Sequence, residues 1–441
     1  MENQDLKYKL ISDFKLMESS LNGESKSPLH QIRQDAISVF EEFGFPGKKS
    51  EEWKYTNLNP ILKNKFRQYL IHEKINLSYE EVAKFIFPGF EGNIIVLING
   101  HYSSKFSKIE TNQEGVFIGS FADARKTHNE LILKYFAKYA DYYRNSLTAL
   151  NTAFANDGVF IYVPENVTVN EHVLILNIAD AREESLIAQP RNLIVLEDGA
   201  SINVIEEYNT IGSNPFFTNS VLEIVLKSNA SIEHYKIQND GDEAFHIGLT
   251  QVQQDTRSKY NSTVVTWGGS LIRNTLNSVL AGEYCECHFN GLYTLQGKQF
   301  ADNHTLADHA VPNCYSNELY KGLMDDKSVA VFNGKIMVRK DAQKTNAYQS
   351  NKNILLSDSA QINAKPQLEI YADDVKCSHG ATTGQLDEIA MFYMRSRGIS
   401  KAEAKILLMH AFATDVIDTV QDDSLREYLH KNLMRKLRKE I

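Results

Sequence analysis

Features that define several protein classes are scarce in this sequence of 441 residues. Four cysteines are too few for a disulfide scaffold in a chain of this length, so we expect reduced thiols. No run of eighteen apolar residues occurs, and the longest apolar stretches, such as residues 94–98, have the length of a strand. The first residues contain no apolar segment typical of secretion, so the sequence favours a cytoplasmic protein without a membrane span.

Positive charge is also scarce, with 47 Lys and Arg against 56 Asp and Glu, for a net charge of −9. A chain that coats nucleic acid needs a dominant basic face, so we expect no nucleic-acid partner. The 42% of hydrophobic residues and 23% of charged residues are ordinary for a folded protein with a sizeable core. The length allows two or three domains.

Nucleotide-binding motifs are absent as well. The segment GLYTLQGKQ at 291–299 superficially resembles a P-loop, but five residues rather than four separate its glycines. Gln299 follows Lys298 where the motif needs Ser or Thr, so no hydroxyl is available for Mg²⁺. We therefore expect this chain to bind no nucleotide by that route. A nucleophile elbow, an HExxH zinc site and a Rossmann fingerprint are also missing.

The sequence does contain helical periodicity at both ends. Near the start, apolar residues recur at threes and fours and define one helix face: Leu29, Ile32, Ala36, Phe40 and Phe43. The segment SEEWKYTNL at 50–58 is typical of a helix start with one core tryptophan, and a further helical stretch covers about 129–155. Near the end, Ser400 and Glu403 form a capping box before another helix. Its apolar stripe is Ala404, Leu407, Leu408, Ala411, Phe412 and Val416. Leucines at intervals of four then mark a final helix.

Between these ends lie many short β-branched runs divided by Gly, Asn, Asp and Ser, and three of them align. They are IVLEDGASI at 194–202, IVLKSNASI at 224–232 and ILLSDSAQI at 354–362, with a weaker copy, IYVPENVTV, at 161–169. Each indicates a strand, a tight polar corner and a second strand. Stacked units of this kind bury a continuous apolar face, and the 30-residue offset of the first two copies suits one solenoid coil.

The pattern therefore predicts a mainly β protein whose core is a right-handed parallel β-helix flanked by helical domains. The expected boundaries are 1–155 for a mainly helical N-terminal domain, 156–375 for the β-helix and 376–441 for a C-terminal helical domain. An ordinary β-sandwich with similar hairpins is the alternative. A left-handed hexapeptide solenoid does not fit, because no strict six-residue period is present.

Three groups of residues are candidates for metal binding. Cys285 and Cys287 share one face of a strand while His288 points to the other, and the two thiols occupy inward positions of the repeat, which favours buried core cysteines. The looser set consists of His304, Asp308, His309 and Cys314 in DNHTLADHAVPNC. Such residues converge on a metal only if the loops fold back, so structural polar roles are favoured.

The third group lies in DVKCSHGATTG at 374–384, where the solenoid pattern ends. Cys377 and His379 alternate and therefore share one face of an extended strand. A thiolate and an imidazole together suit iron or zinc. Two ligands do not complete a tetrahedral site, so a metal here needs further ligands from another segment or chain. On spacing alone a structural role for both residues stays open.

At these residues the sequence resembles a known family. EEWKYTNL near the start, the β-solenoid centre and VKCSHGATTGQLDEIAMFYMRSRGIS at 375–400 are similar to the SufB/SufD family of the SUF iron–sulfur cluster assembly system. SufB has two acidic residues where this chain has Ser378 and Gly380, so the resemblance is to the SufD branch. It implies a non-catalytic scaffold subunit that pairs with SufB through the β-helices and binds the ATPase SufC through the C-terminal helices.

The resemblance also implies a transient iron–sulfur cluster at the SufB interface. His379 matches the family's histidine, and Cys377 matches the neighbouring cysteine, whose role is less secure. It assigns SufC binding to the segment from Ala404 to Val416. A flavin has been associated with such complexes, and ATPase activity belongs to SufC.

Two other functions are alternatives for a β-solenoid of this kind. A β-helix carbohydrate-active enzyme needs a long open groove lined by carboxylates and aromatics, and no carboxylate pair stands out in the sequence. A purely structural, homo-oligomeric solenoid is the second, because the open edges of a β-helix invite pairing. For the same reason we expect the chain to form a homodimer when it is purified alone.

Overall fold

A computed structural model describes residues 2–19, 26–70 and 76–439 of the chain. Helices lie at both ends and strands fill the middle. The helices are α1 (Glu2–Ser19), α2 (Pro28–Phe43), α3 (Asn59–Leu62), α4 (Tyr79–Ala83), α5 (Phe121–Thr127), α6 (Asn129–Tyr135), α7 (Ser146–Ala153), α8 (Glu388–Ser396), α9 (Lys401–Ile417) and α10 (Asp423–Lys439), with a 3₁₀ turn at Glu51–Trp53.

The strands are mostly long, and their bounds are as follows. They are β1 (Arg67–Gln68), β2 (Gly92–Ile98), β3 (His101–Tyr102), β4 (Phe117–Ser120), β5 (Val159–Val163), β6 (His172–Ala181), β7 (Leu186–Ala188), β8 (Arg191–Leu196), β9 (Ser201–Gly212), β10 (Phe216–Leu226), β11 (Ser231–Asn239), β12 (Ala244–Gln254), β13 (Lys259–Thr266), β14 (Leu271–Leu280), β15 (Glu286–Leu295), β16 (Phe300–His309), β17 (Tyr315–Met324), β18 (Val329–Val338), β19 (Asn346–Leu355), β20 (Gln361–Ala364), β21 (Gln367–Ile370) and β22 (Lys376–Gly384).

Successive long strands alternate between two sheets, so that each coil of the chain gives one strand to each sheet. The first sheet has the order β20-β18-β16-β14-β12-β10-β8-β5-β4, with β21 also beside β18 and with β7 joining β1 to β10. The second has the order β22-β19-β17-β15-β13-β11-β9-β6-β2-β3. Pairing is parallel except for β2–β3 and β4–β5, which lie at the N-terminal end. The result is a β-solenoid of about eight turns with helices at both ends, which confirms the predicted fold class.

The register of the strands confirms the 30-residue coil. Ile194 pairs with Ile224 in the first sheet, and Ile202 pairs with Ile232 in the second. The weaker copy stacks in the same register, because Ile161 pairs with Ile194. The third segment is different. Its first strand, β19, lies in the second sheet and its second strand, β20, lies in the first, so 354–362 turns the opposite corner of the coil. Both corners need the same strand–turn–strand pattern, and the sequence alone does not separate them.

The polar triplets of the repeat form the corners between the two sheets. Asn166, Gly199 and Asn229 have φ values of 58°, 69° and 59°. Asparagine and glycine tolerate this left-handed backbone better than other residues, which explains their recurrence at the turn. A Cβ on Gly199 would lie 2.7 Å from the Asn166 side-chain oxygen of the preceding coil. The stacking of corners therefore restricts this position to glycine.

The two sheets extend beyond the predicted limits of 156–375. β2 and β4 lie before residue 156 yet pair with the solenoid strands β6 and β5. β22 lies after residue 375 and forms the last strand of the second sheet. Its polar sequence lacks the apolar alternation of the other strands because no further coil covers it, and this is why the pattern ended too early.

Helices pack on the outside of the solenoid. α2 buries Leu29, Ala36 and Phe40 as its periodicity predicted, whereas Phe43 is exposed. The predicted helix over 129–155 is divided into α6 and α7 by residues without helical structure. At the other end, the leucines of α10 (Leu425, Leu429, Leu433 and Leu437) share a buried cluster with α9 and the second sheet. No helix among the described ranges is long and apolar enough to cross a membrane.

Candidate functional site at the C-terminal end of the solenoid

Strand β22 forms one edge of the second sheet. It pairs in parallel with β19, from Lys376 opposite Asn346 to Gly384 opposite Ile354, and with no other strand in the described part of the chain. The Lys376 N–H donates to the Thr345 carbonyl at 2.8 Å. Backbone groups alternate in direction along a strand, so residues 377, 379, 381 and 383 turn their N–H and C=O groups to the open side. A row of such groups is a template for pairing with another chain.

Cys377 and His379 lie on this strand, as their alternation predicted. Their register partners are Ala347 and Gln349, which belong to the buried, inward-facing row of β19. Cys377 is half-buried and packs against the small apolar cluster that ends the solenoid. Burial raises the pKa of the Cys377 thiol, and a hydrogen bond with the Ala347 backbone only partly offsets this effect. His379 is exposed. One row of the edge strand thus presents a thiol and an imidazole.

These two side chains do not by themselves complete a metal site. Across residues 2–19, 26–70 and 76–439, no three His, Cys, Asp or Glu side chains lie close enough together to hold an ion. A tetrahedral iron or zinc site needs four ligands. Any cluster held at this edge would therefore take part of its ligation from outside the described residues.

The other three cysteines are buried inside the solenoid, as predicted for Cys285 and Cys287; Cys314, which belonged to the looser set, is buried with them. Cys287 pairs with Tyr260, which in turn pairs with Ile232, so it occupies the inward isoleucine position of the repeat. Cys285 and Cys314 lie at stacked corners, and their thiols donate to the carbonyls of Asp255 and Gly282 at 2.9 and 3.3 Å. A hydrogen bond with Cys314 lowers the pKa of Cys285 to about 7, whereas burial raises that of Cys287. These thiols lie within the core.

The looser set of candidate ligands does not converge. His304 Nε2 lies 3.0 Å from Asp302, whereas His309 Nε2 lies 2.8 Å from the Ser316 hydroxyl. Asp308 pairs with Arg339 at 2.7 Å. Each side chain therefore has its own structural partner, which confirms the structural interpretation.

The tryptophan of EEWKYTNL joins the N-terminal segment to the solenoid. Trp53 is buried, and the Arg273 guanidinium lies 3.9 Å from the centre of its ring. Arg273 pairs with Asp302, which also accepts a hydrogen bond from the Thr56 hydroxyl. Glu51 pairs with Lys365, so the segment also contacts the break between β20 and β21. This segment is a structural clamp on the first sheet.

The apolar stripe of α9 faces mainly the chain's own core. Ala404 and Val416 are fully buried. Leu407, Leu408 and Phe412 are half-buried, and Ala411 is exposed. The helix lies across β15 and β17, and Lys321 of β17 donates to the Phe412 carbonyl at 2.8 Å. The side chains of Ala404 and Val416 are therefore unavailable to a partner in this structure, because periodicity identifies a buried face without saying what covers it.

The exposed apolar surface lies instead on the preceding helix, α8. None of its residues is fully buried, and Ile389 and Phe392 are 81% and 74% exposed, with Tyr393 also exposed. Beside this helix is a cavity of about 430 Å³, which Met391 and Phe392 line together with Arg395 and the corner between β19 and β20. A large exposed apolar face on a rigid helix marks an interaction surface. The spacing of Ile389, Phe392 and Tyr393 was the sequence pattern that could have identified it.

Comparisons with known proteins cover nearly the whole chain. Residues 4–175 match the family model described as the SufBD protein N-terminal region, and residues 177–412 match the SufBD core domain of SUF system FeS cluster assembly. An iron–sulfur cluster assembly SufBD family protein of Synechocystis is 32% identical over 94% of this chain and 92% of its own. The proteins named iron–sulfur cluster assembly protein SufD in Escherichia coli and Bacillus subtilis are each 28% identical, over 94% and 93% of this chain and 94% of their own lengths.

Proposed function

Because the chain belongs to the SufBD family of the SUF iron–sulfur cluster assembly system, we propose that its role in cluster assembly is that of a non-catalytic scaffold subunit. In this role it pairs with SufB through the β-helices and binds the ATPase SufC through its C-terminal helices. The observation that carries the proposal is the open strand β22, on which exposed His379 and half-buried Cys377 share one row. The names of the two SufD relatives support the SufD role over that of SufB.

Pairing with SufB is supported by the backbone of β22. An incoming strand would find free N–H and C=O groups at residues 377, 379, 381 and 383, and main-chain hydrogen bonds of this kind give affinity in β-strand addition. Pairing there would bring the partner's side chains next to Cys377 and His379. The missing ligands of a transient iron–sulfur cluster would then come from SufB. Thiolate and imidazole are suitable iron ligands. A flavin associated with the complex stays a prediction.

SufC binding is supported by the exposed face of α8. Ile389 and Phe392 are the most exposed large apolar residues of the C-terminal helices, and the cavity beside them offers room for a partner side chain. Ala404 and Val416 of α9 are buried within the chain and would therefore not contact SufC directly, whereas α8 packs against α9 with its apolar face exposed. Truncation of an apolar anchor at the centre of an interface typically costs about 2 kcal/mol or more.

Co-expression of this chain with SufB and SufC would test the three parts separately, with size exclusion to follow subunit content and visible absorbance and bound iron after cluster reconstitution. We expect His379→Ala to leave the complex intact and to lose iron loading. Ala381→Pro removes an open-edge N–H without removing a bond to β19, so we expect loss of SufB. Phe392→Ala should lose SufC alone. Ser350→Ala, on the neighbouring strand, is the control that should change nothing.

Each result bears on one part of the proposal. Iron loading that is unchanged by His379→Ala in an intact complex would mean that the cluster lies on SufB alone. SufB retention by Ala381→Pro would rule out pairing through β22. In the absence of SufB we expect the same edge to form a homodimer, and light scattering that shows only monomer at micromolar concentration would contradict this.

A further inference from the structure

Beneath His379, the inward row of the second sheet continues with two polar residues. His379 pairs with Gln349 of β19, and Gln349 pairs with Glu318 of β17, so the three occupy the same position of successive coils. Gln349 and Glu318 are only 3% and 5% exposed, although both carry polar groups. Apolar residues or aromatic rings fill most of this interior, for example Phe289, which pairs with Glu318 on the next coil away from the open end. Beyond Phe289 the same column continues with Ser262 and His234, which are also buried, so polar residues recur along it and two of them lie directly beneath the open end.

Among the described residues, Gln349 and Glu318 each have one side-chain oxygen, Oε1, without a hydrogen-bond partner. Gln349 Nε2 donates to Glu318 Oε2 at 2.6 Å, whereas Gln349 Oε1 makes no hydrogen bond within the part of the chain that the structure describes. The nitrogen and the oxygen of a side-chain amide point in different directions from the amide carbon. Because the Gln349 nitrogen donates to Glu318 on the coil below, the Gln349 oxygen points away from that coil. A buried carbonyl oxygen without a partner is costly, and such groups in native proteins often mark the place of a missing water, ion or ligand.

The opposite wall of the solenoid leaves room at this level. Gly334 of β18 faces Gln349, and a Cβ at this position would clash with the Gln349 side chain. One coil further, beside β18, the first sheet is interrupted between β20 and β21 at residues 365–366. At this interruption the Lys365 N–H still donates to the Phe332 carbonyl at 2.7 Å, whereas Pro366 has no N–H to donate. Gly334 thus leaves the space that the Gln349 amide occupies, and the interruption of the first sheet lies one coil beyond it.

We propose that His379 and the Gln349 side-chain oxygen together bind a divalent first-row metal ion, with Glu318 as the positioning residue that holds the amide. This inference rests on the proposed function and deepens it, because it identifies where this chain holds ferrous iron before a cluster forms. Imidazole nitrogen and carbonyl oxygen are donors that Fe²⁺ and Co²⁺ accept. Water and the partner chain complete the coordination. Glu318 acts through its hydrogen bond to Gln349, as outer partners of metal ligands commonly do.

Co²⁺ is a suitable probe, because its visible spectrum reports bound ligands, and the protein is the assembly co-purified with SufB and SufC. We expect His379→Ala to abolish Co²⁺ binding by this chain. Gln349→Met keeps the volume but removes the oxygen, and we expect binding about 10- to 100-fold weaker. Glu318→Met should weaken it about tenfold, since it removes the oxygen that accepts from the Gln349 amide. Tyr348→Phe alters the adjacent residue, which belongs to the outer row, and should bind Co²⁺ with wild-type affinity.

A second variant separates ligation from a packing role. The double exchange Glu318→Gln with Gln349→Glu preserves the amide–carboxylate pair but places the carboxylate beside His379. We expect it to bind Co²⁺ more tightly than the wild type and to shift the spectrum, which loss of packing does not do. This inference would be overturned if Gln349→Met and the double exchange both bind Co²⁺ with wild-type affinity while His379→Ala does not bind it. That outcome would leave the proposed function unchanged. Wild-type affinity in His379→Ala would overturn both metal assignments, while SufB and SufC binding are tested by their own variants.

Discussion

Removal of the Asp302 carboxylate should release the N-terminal clamp from the solenoid. Asp302 and Arg273 are 1% and 3% exposed, and they form an ion pair beneath the Trp53 ring. Burial alone would raise the pKa of Asp302, but Arg273 and His304 outweigh it and hold that pKa below its ordinary value, so the carboxylate stays ionised. Asp302→Ala leaves a buried guanidinium without its counter-charge.

The expected loss is about 3–5 kcal/mol, the usual result of removing one partner of a buried pair. Asp308 of the same strand provides a matched control. It pairs with Arg339, whose side chain is 52% exposed and can be solvated by water once the pair is broken. Asp308→Ala should therefore cost about 1 kcal/mol or less. The double variant Arg273→Met with Asp302→Ala removes both buried charges and should be more stable than Asp302→Ala alone.

Tryptophan fluorescence can follow the clamp directly. The chain has two tryptophans, so a Trp267→Phe background leaves Trp53 as the reporter. In urea titrations we expect the Trp53 transition of Asp302→Ala to move to lower urea than that of Asp308→Ala, with protease cleavage in the N-terminal segment appearing at the same concentration. If the two variants unfold at the same urea concentration, the buried pair does not hold the clamp and the reasoning is refuted.

Three further predictions concern the core. Burial raises the pKa of Glu207, which accepts a hydrogen bond from Tyr428 of α10, from 4.5 to about 7. Between these values only the folded state holds the proton, so stability falls as pH rises, by roughly 3 kcal/mol in total. Urea titrations at pH 4.5 and 7.5 should show a smaller loss of stability in Glu207→Gln than in the wild type, and an equal loss in both proteins would contradict the assignment. A thiol reagent should modify Cys377 in the folded chain and all four cysteines in denaturant, and labelling of more than one thiol in native protein would disprove the burial of the others. Gly334→Ala should lower the unfolding free energy by about 1–3 kcal/mol because the new methyl group would clash with the Gln349 side chain. Unchanged stability would show that Gln349 can move away from position 334 without cost.

The sequence predicted best where each coil must match its neighbours. Ile194, Ile224, Ile202 and Ile232 stack at the same positions, so packing imposes the period that the residues display. The N-cap was predictable for a local reason, since the Ser400 side chain accepts from the Glu403 N–H within one turn. In both features, each residue has its partner at a fixed separation along the sequence, so the sequence alone identifies the pair.

Long-range partners were not predictable in this way. The stripe of α9 indicated a buried face, but Val416 is covered by the chain's own solenoid and helices, while the apolar face of α8 is left open. No sequence pattern linked Gln349 and Glu318 to His379. The three residues come into register only because the coils between them are 30 and 31 residues long. The strand β22 was placed outside the solenoid because it lacks the apolar alternation that burial on one face produces.

The two sheet edges at the open end differ in how well they are protected against pairing with another chain. In the first sheet, β20 and β21 are separated by Lys365 and Pro366, and Lys365 is held by Glu51 of the N-terminal clamp. A lysine, a proline and a covering segment are devices that keep sheet edges from joining other chains. The edge strand β22 has nine residues without proline, and only Lys376, at its start, carries a charged side chain. The unprotected edge is therefore the same strand that carries His379 and Cys377. This is the arrangement that the proposal expects, since it requires pairing and metal binding at one place.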